Sequence, residues 1–430
     1  MTTAIIAPAT RNASATTAAN NAHLIALESD PAPAEVGGTY SKIISAAVDN
    51  SGDVAFSAML SDSSASSAIL LKSGDTVQVL LRSGDQAPDG STYKKFDEID
   101  RSFYGFHNAD FALLLFRAEL EGQSASEGLF LLKPDGIQVI ALAGGKSPRG
   151  FTYKSFAQPT LIAERGDRGG GYFLTFLALM EEGSKSIVVT SDAVSPIEVT
   201  TGDVLGNAEV KDFVISQSGG EAVCAVADMH DLTNGKNYKD VILIAGNIIS
   251  GSNFRTKGKI EGFPRIKQIL TPPAITFQVS IASVVLKGGI SAIAVRNVLG
   301  GASVIAAAGD AAPGLPGETM QSFSPPVSNA VFPFADSTQR YPSGIVSIVK
   351  LSGSRSALWL WTRKVTIGKP DVFETELVLV EGDATTDGQV VRDFSPLKLS
   401  DTGSLLLRGT VGEGSAAHEG LFVIDGLFDE

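Results

Sequence analysis

Four histidines and one cysteine are the whole stock of imidazole and thiol chemistry in 430 residues. His23, His107, His230 and His418 are spread too widely to read as a metal set. His230 is the best placed, because Asp228 and Asp231 flank it in a polar stretch that runs on to Asn234 and Asn237. Such a group suits a cation or polar ligand, and it equally describes a solvated loop. Cys224 stands in the apolar run Ala222 to Ala227 and reads as a packed core thiol. The chain carries no Gly-x-Ser-x-Gly elbow, Walker phosphate loop, His-Glu-x-x-His pair or full Asp-rich calcium loop. Gly412 to Ala417 imitates a dinucleotide fingerprint, but it opens no helical pattern and reads as a loop.

The recurring chemistry is carboxylate. Asp85, Asp203, Asp310 and Asp383 each follow a Gly at the start of a turn, and Asp30 stands before Pro-Ala-Pro in the equivalent place. A carboxylate there can accept main-chain NH groups two residues on, which is its structural use. Its functional use would be a ring of acids at a common mouth, gripping a cation or a polar sugar. No cofactor is expected, with Ca²⁺ left open for that mouth. Gly145 replaces the Asp in one copy, so such a ring would be asymmetric.

Aromatic residues form the second candidate surface. They are Phe103, Tyr104 and Phe106, then Phe332, Phe334 and Tyr341, and both tryptophans, Trp359 and Trp361, two apart on one strand face. Packing within the fold is the first reading, and an exposed partner or glycan patch is the second.

The elements that position these groups follow from composition and period. The chain has 45 Gly, 19 Pro, 43% hydrophobic residues and a net charge of −13. That core fraction excludes disorder, and the acidity argues against nucleic acid and anionic membrane surfaces. No apolar run reaches the roughly 18 residues of a membrane helix. A phrase recurs every 50 to 60 residues: Thr39-Tyr40, Thr92-Tyr93 and Thr152-Tyr153, each after a turn rich in Gly and Pro. Apolar anchors follow at Ile43, Phe96, Phe156, Phe213, Phe323 and Phe394. A degenerate copy around Gly258 to Ile266 fills the gap, and successive anchors differ by 53, 60, 57, 53, 57 and 71 residues, which makes seven units.

Each unit reads as four short strands divided by turn residues, such as Pro134-Asp135-Gly136, and none shows a long helical period. Seven such units predict an all-β, seven-bladed β-propeller of four-stranded antiparallel blades. The last unit lacks its fourth strand, and His23 to Leu27 resembles the fourth strand at Gln138 to Leu142. The N-terminal strand is therefore expected to close the ring by completing the C-terminal blade. Residues 1–21 read as a flexible leader, a trimmed signal being the alternative, and 22–430 as one domain. Within it, 22–38 carries the closing strand, and the blades run approximately 39–91, 92–151, 152–208, 209–262, 263–318, 319–389 and 390–430.

Gly52-Asp53-Val54-Ala55-Phe56-Ser57-Ala58-Met59-Leu60, taken with the Gly-Asp-x-x-Pro turns and the Phe anchors, resembles an uncharacterised family of bacterial, exported β-propeller repeat proteins. The resemblance runs over residues 23–430 and is poorest in blades 4 to 6. It implies a propeller and an extracellular, periplasmic or cell-surface location, with the cytoplasm left open, and it carries no activity across. Three functional readings follow. The first is a non-catalytic binding or scaffold propeller that recognises a protein, glycan or larger assembly through one face. The second is a carbohydrate-active hydrolase or lyase with carboxylates at the channel mouth. The third is a structural subunit of an extracellular or phage-like assembly. Oligomeric state is not legible in the sequence.

Overall fold

The computed structural model describes residues 22–428, apart from 107–108, 123–124, 165–170, 192–194, 219–221, 247–265, 270–273, 276–278, 287–288, 298–301, 330–342, 365–371, 401 and 413–416. Among these, every regular element is a strand. The strands form seven antiparallel sheets in chain order, the architecture of a seven-bladed β-propeller. The chain divides into two compact units, one holding blades 1 to 4 and the other holding the closing strand with blades 5 to 7.

Blade 2 shows how the repeat folds. Its strands are Thr92–Phe106, Ala109–Glu121, Glu127–Lys133 and Gly136–Leu142, each paired with the next. Phe96, Phe116 and Phe130 are wholly buried, and their rings meet Tyr93 at centroid distances of 5.2 to 5.8 Å. Ala55 and Ile69 of blade 1 close the same cluster, so the core lies between blades as well as within them. The other anchors, Ile43, Phe156, Phe213, Phe323 and Phe394, are also buried. Beside the anchor, first strands lose register: between Ile43 and Ser45, Phe96 and Ile99, Ala157 and Thr160, and Phe213 and Ile215. A bulge leaves main-chain groups without ladder partners, and those groups must be satisfied from elsewhere.

The Gly-Asp phrase is a turn of one geometry repeated. Gly84, Gly144, Gly202, Gly309 and Gly382 have φ between 84° and 98°. That conformation is open to Gly and strained for residues with a Cβ. Each turn then starts the next blade through a pair of main-chain bonds, as in Gly84 N to Tyr93 O at 2.8 Å and Tyr93 N to Asp85 O at 3.0 Å. The first copy has Ser29 in the Gly position, at φ 77°, with Ser29 N to Tyr40 O at 2.7 Å. Relief of left-handed strain outweighs the entropy that Gly brings, so Ser29→Gly should stabilise the fold by about 0.5–1 kcal/mol, read by chemical denaturation.

In the unit of blades 5 to 7, the last sheet runs in the order Ala22–Leu27, His418–Ile424, Leu405–Val411, Val391–Leu399. The N-terminal strand thus supplies the missing fourth strand, with Ala22 opposite Ile424 and Leu27 opposite Gly420. Blade 6 departs from the simple pattern. Its first strand is broken, Met320–Phe323 and Val327–Ser328 both pairing with Ser343–Leu351. Blade 4 departs too: its described sheet holds Val204–Leu205 before Ala208–Ser218, Ala222–Asp231 and Asn237–Gly246. The fourth strand expected after these falls outside the described residues.

Candidate functional site

The turn phrases and the loops joining second to third strands meet blade by blade. Ser64 N donates to Val36 O at 3.2 Å, Glu181 N to Thr152 O at 2.9 Å, Leu232 N to Asn207 O at 2.8 Å, and Ser352 N to Thr319 O at 3.0 Å. Both kinds of loop therefore share one end of each of these blades, as expected for a propeller mouth.

The repeated carboxylates at that end are occupied by their own turns. Asp85 Oδ2 accepts Arg82 N at 3.0 Å, Asp203 Oδ2 accepts Thr200 N at 2.8 Å, Asp310 Oδ2 accepts Ala307 N at 2.8 Å, and Asp383 Oδ2 accepts Val380 N at 2.8 Å. The bonds run to the NH three residues before the Asp, whereas the sequence suggested NH groups two residues after it. The left-handed Gly folds the Asp back over the end of the preceding strand, so its own NH and its carboxylate both close onto that strand. Gly145 makes the same main-chain closure, Gly145 N to Leu142 O at 2.9 Å, with no side chain. A Cβ there would stand 2.9 Å from that carbonyl oxygen. Asp203 carries a further load: Arg149 pairs with it, also donates its NH to Glu198, and lies over the Phe151 ring. The hydrogen bond to Asp203 raises the Arg149 pKa. Asp30 lies beside Tyr40, whose hydroxyl is pushed up to about 12 by burial and then by that carboxylate. Asp85, Asp203, Asp310 and Asp383 thus each clamp their own turn through one carboxylate oxygen.

His230 and Asp228 lie on the strand Ala222–Asp231, where the sequence suggested a loop. The strand's alternation continues through this polar stretch, pairing His230 with Glu209 on one side and Asn237 on the other. His230 Nδ1 sits 2.7 Å from Asn237 Oδ1. The residue that organises the adjoining loop is Asp231. Its carboxylate accepts Thr233 Oγ1 at 2.6 Å, Thr233 N at 2.8 Å and Asn234 Nδ2 at 2.8 Å, and the Thr233 bonds above all hold its pKa down. Among the described residues no group of three or more His, Cys, Asp or Glu could hold a metal ion.

Of the aromatic candidates, Trp359 and Trp361 are core residues, at 0% and 1% exposure, and belong to one cluster with Ile293, Phe323 and Val349. Trp359 Nε1 donates to Pro313 O at 3.2 Å. Their common strand face points inward, which removes them from any partner surface. Phe103, Tyr104 and Phe106 lie on a ladder that reaches Phe106 opposite Ala109, but their side chains are outside what is described. Phe332, Phe334 and Tyr341 lie outside the described residues altogether.

Two charged constellations escaped the sequence reading. Asp49, with a wholly buried side chain, accepts Arg101 Nε at 2.7 Å across the first two blades, and Asp53 adds a contact at 3.7 Å. Asp49 Oδ1 also binds Ser51 N at 2.9 Å and Ser51 Oγ at 2.6 Å, which ties the pair into the first hairpin. The second is centred on Arg117, which meets Asp97 at 3.5 Å, Glu98 at 3.2 Å and Glu127 at 3.5 Å. Lys95 joins it through Asp97 at 2.5 Å and Glu119 at 3.4 Å, and the Asp97 bond raises the lysine's pKa. Burial pushes the Glu127 carboxyl up against the opposing pull of the Phe156 NH and Arg117. The available signal was the repeat itself, since Arg117 and Glu127 stand where blade 1 has Ser57 and Ser67.

Residues 6–219, just under half of the chain, match the model of a family described as of unknown function, DUF7453. No curated protein matches. Among solved structures, the chain is similar to a mutant of the Aleuria aurantia lectin in complex with Fucα1-6GlcNAc, at 10% identity and a TM-score of 0.31, over 78% of this chain and 95% of that one. It is similar to the WD40 domain of SCAP from fission yeast, at 8% identity and a TM-score of 0.37, over 94% and 90% respectively. It is also similar to Trypanosoma rangeli sialidase in complex with sialic acid, at 10% identity and a TM-score of 0.31, over 99% of this chain and 60% of that one.

Proposed function

We propose that this propeller is a non-catalytic binding or scaffold protein, exported or at the cell surface, that recognises a protein, glycan or larger assembly through one face. The observation that supports this most is the employment of the repeated acids. Asp85, Asp203, Asp310 and Asp383 each spend a carboxylate oxygen on a main-chain NH, the use of a residue that shapes a loop. A hydrolase needs one acid kept protonated and another poised to act as base or nucleophile. The loops beside the turns, 62–66 and 232–236, are mostly small and polar, suited to adaptable contacts.

The test pairs a glycan array and a pull-down from the native source with a polysaccharide-turnover screen, using the Asp85→Asn, Asp203→Asn, Asp310→Asn and Asp383→Asn variants. Asn keeps an acceptor in the turn, so each variant should lose no more than about 1 kcal/mol of stability. The expected result is a bound protein or glycan without turnover. Turnover of a polysaccharide that one of these substitutions abolishes would overturn the reading.

A further inference from the structure

The positions of Arg117 and Glu127 carry a job in the repeat. One blade earlier, Ser57 Oγ donates to Asp97 O at 2.7 Å, and Phe96 N donates to Ser67 Oγ at 3.3 Å. Two hydroxyls of blade 1 thus satisfy the NH and the carbonyl that the bulge of blade 2 leaves outside its ladder. Between blades 2 and 3 the same task falls to charges. Arg117 Nη1 donates to Phe156 O at 3.1 Å, and Phe156 N donates to Glu127 Oε1 at 2.7 Å. With 3.5 Å between them, the two side chains form an ion pair that clasps both sides of one residue's main chain. At two further junctions a side chain reaches the anchor's carbonyl: Lys185 Nζ donates to Phe213 O at 3.4 Å, and Ser283 Oγ to Phe323 O at 3.3 Å.

We propose that Arg117 and Glu127 form a titratable latch on blade 3, whose hold on Phe156 changes with the ionisation of Glu127 while the hydroxyl latch of Ser57 and Ser67 on blade 2 stays constant. The Glu127 side chain is 16% exposed, so its charge is poorly solvated when the junction is closed. The charged groups acting on it are Arg117 and Asp97 from blade 2, and blade 3 contributes the Phe156 amide. Asp97 repels the carboxylate, and Arg117 is shared with Asp97 and Glu98, which dilutes the compensation it offers. Burial therefore prevails, and the closed junction holds the carboxyl above its ordinary 4.5. A group raised in the closed state contributes its stability fully below the ordinary value and loses it as pH rises through the raised one. With Glu127 protonated the ion pair is absent, but the neutral carboxyl still accepts the Phe156 NH and Arg117 still donates to Phe156 O, so the buried junction holds best in that state and loosens as the carboxylate ionises.

Amide hydrogen exchange on ¹⁵N-phenylalanine-labelled full-length protein tests this, with rates corrected for intrinsic base catalysis. Opening at Phe156 should rise several-fold as pH climbs through the Glu127 titration and then level off, while Phe96 stays flat over the same range. Glu127→Gln should remove the Phe156 pH dependence and leave Phe96 untouched. Parallel pH profiles for Phe156 and Phe96 in the unaltered protein would overturn the proposal, whether or not the variant folds. So would a Glu127→Gln protein that keeps the original Phe156 profile.

Discussion

Arg101→Ala should cost the unit of blades 1 to 4 about 3–5 kcal/mol, the penalty for leaving a buried charge without its partner. Asp49 has no exposed side-chain surface, and the guanidinium 2.7 Å away is its counter-ion. The Ser51 bonds and the Asp53 amide orient the carboxylate but cannot neutralise it. Asp53, itself 26% exposed, adds a second negative group that Arg101 now holds at 3.7 Å, so the variant would set two carboxylates side by side. The double substitution Asp49→Leu with Arg101→Met is the control. Replacing both members of a buried pair by apolar groups of similar size is near neutral or stabilising, so the double variant should regain most of the loss. Urea unfolding of the two proteins checks this. A single Arg101→Ala variant within 1 kcal/mol of the parent would overturn this, and the pair would then be a registration device with little energetic weight.

The repeat was readable because its signals are backbone requirements. A turn at φ near 95° calls for Gly, and a bulged first strand calls for a large apolar anchor, so Gly84 with Phe96 and Gly382 with Phe394 recur at legible spacing. The closing strand was readable for a similar reason, since His23 to Leu27 repeats the apolar pattern of a fourth strand that the last unit lacks. The site was far less legible. Whether the Asp85 carboxylate turns toward a ligand or back onto Arg82 N depends on the turn's dihedrals, which residue types alone do not specify. Trp359 and Trp361 share a strand face, but strand alternation does not say which face meets the neighbouring blade. The Arg117 cluster joins residues far apart in sequence, and its members look like ordinary surface charges until the junction with Phe156 is built.

Removing residues 1–27 should abolish the cooperative unfolding of the unit containing blades 5 to 7. Without that strand, His418–Ile424 becomes an unpaired edge with five of its seven positions buried in the intact protein, Leu421, Phe422, Val423 and Ile424 at 1% exposure or less. Ile25 and Ala26 are buried, Ala22 belongs to the cluster against which Leu24 and Leu27 pack, and burying one large aliphatic side chain contributes about 1.5–3 kcal/mol. The lost strand also strips partners from the preceding turn, where Thr386 N and Oγ1 each donate to Ala22 O at 2.9 Å and Asp387 Oδ2 accepts Leu24 N at 2.9 Å. These losses together reach the roughly 5–15 kcal/mol that holds a whole domain folded. The exposed edge then offers a template for aggregation. A gentler variant separates the strand's seat from its sequence. Gly420 lies against it, where a Cβ would come 3.0 Å from Leu27 Cδ1 and 3.1 Å from Ala26 O, so Gly420→Val should lever the strand outward with every one of its residues present. A synthetic peptide of residues 20–30 added to the truncated protein should restore its melting transition in a concentration-dependent way, because every residue that forms the seat is still in the chain and strand binding is coupled to its folding. An unchanged melting curve for the truncated chain would show that the last blade holds with three strands, and the closing strand would then be a surface cover rather than a fastening.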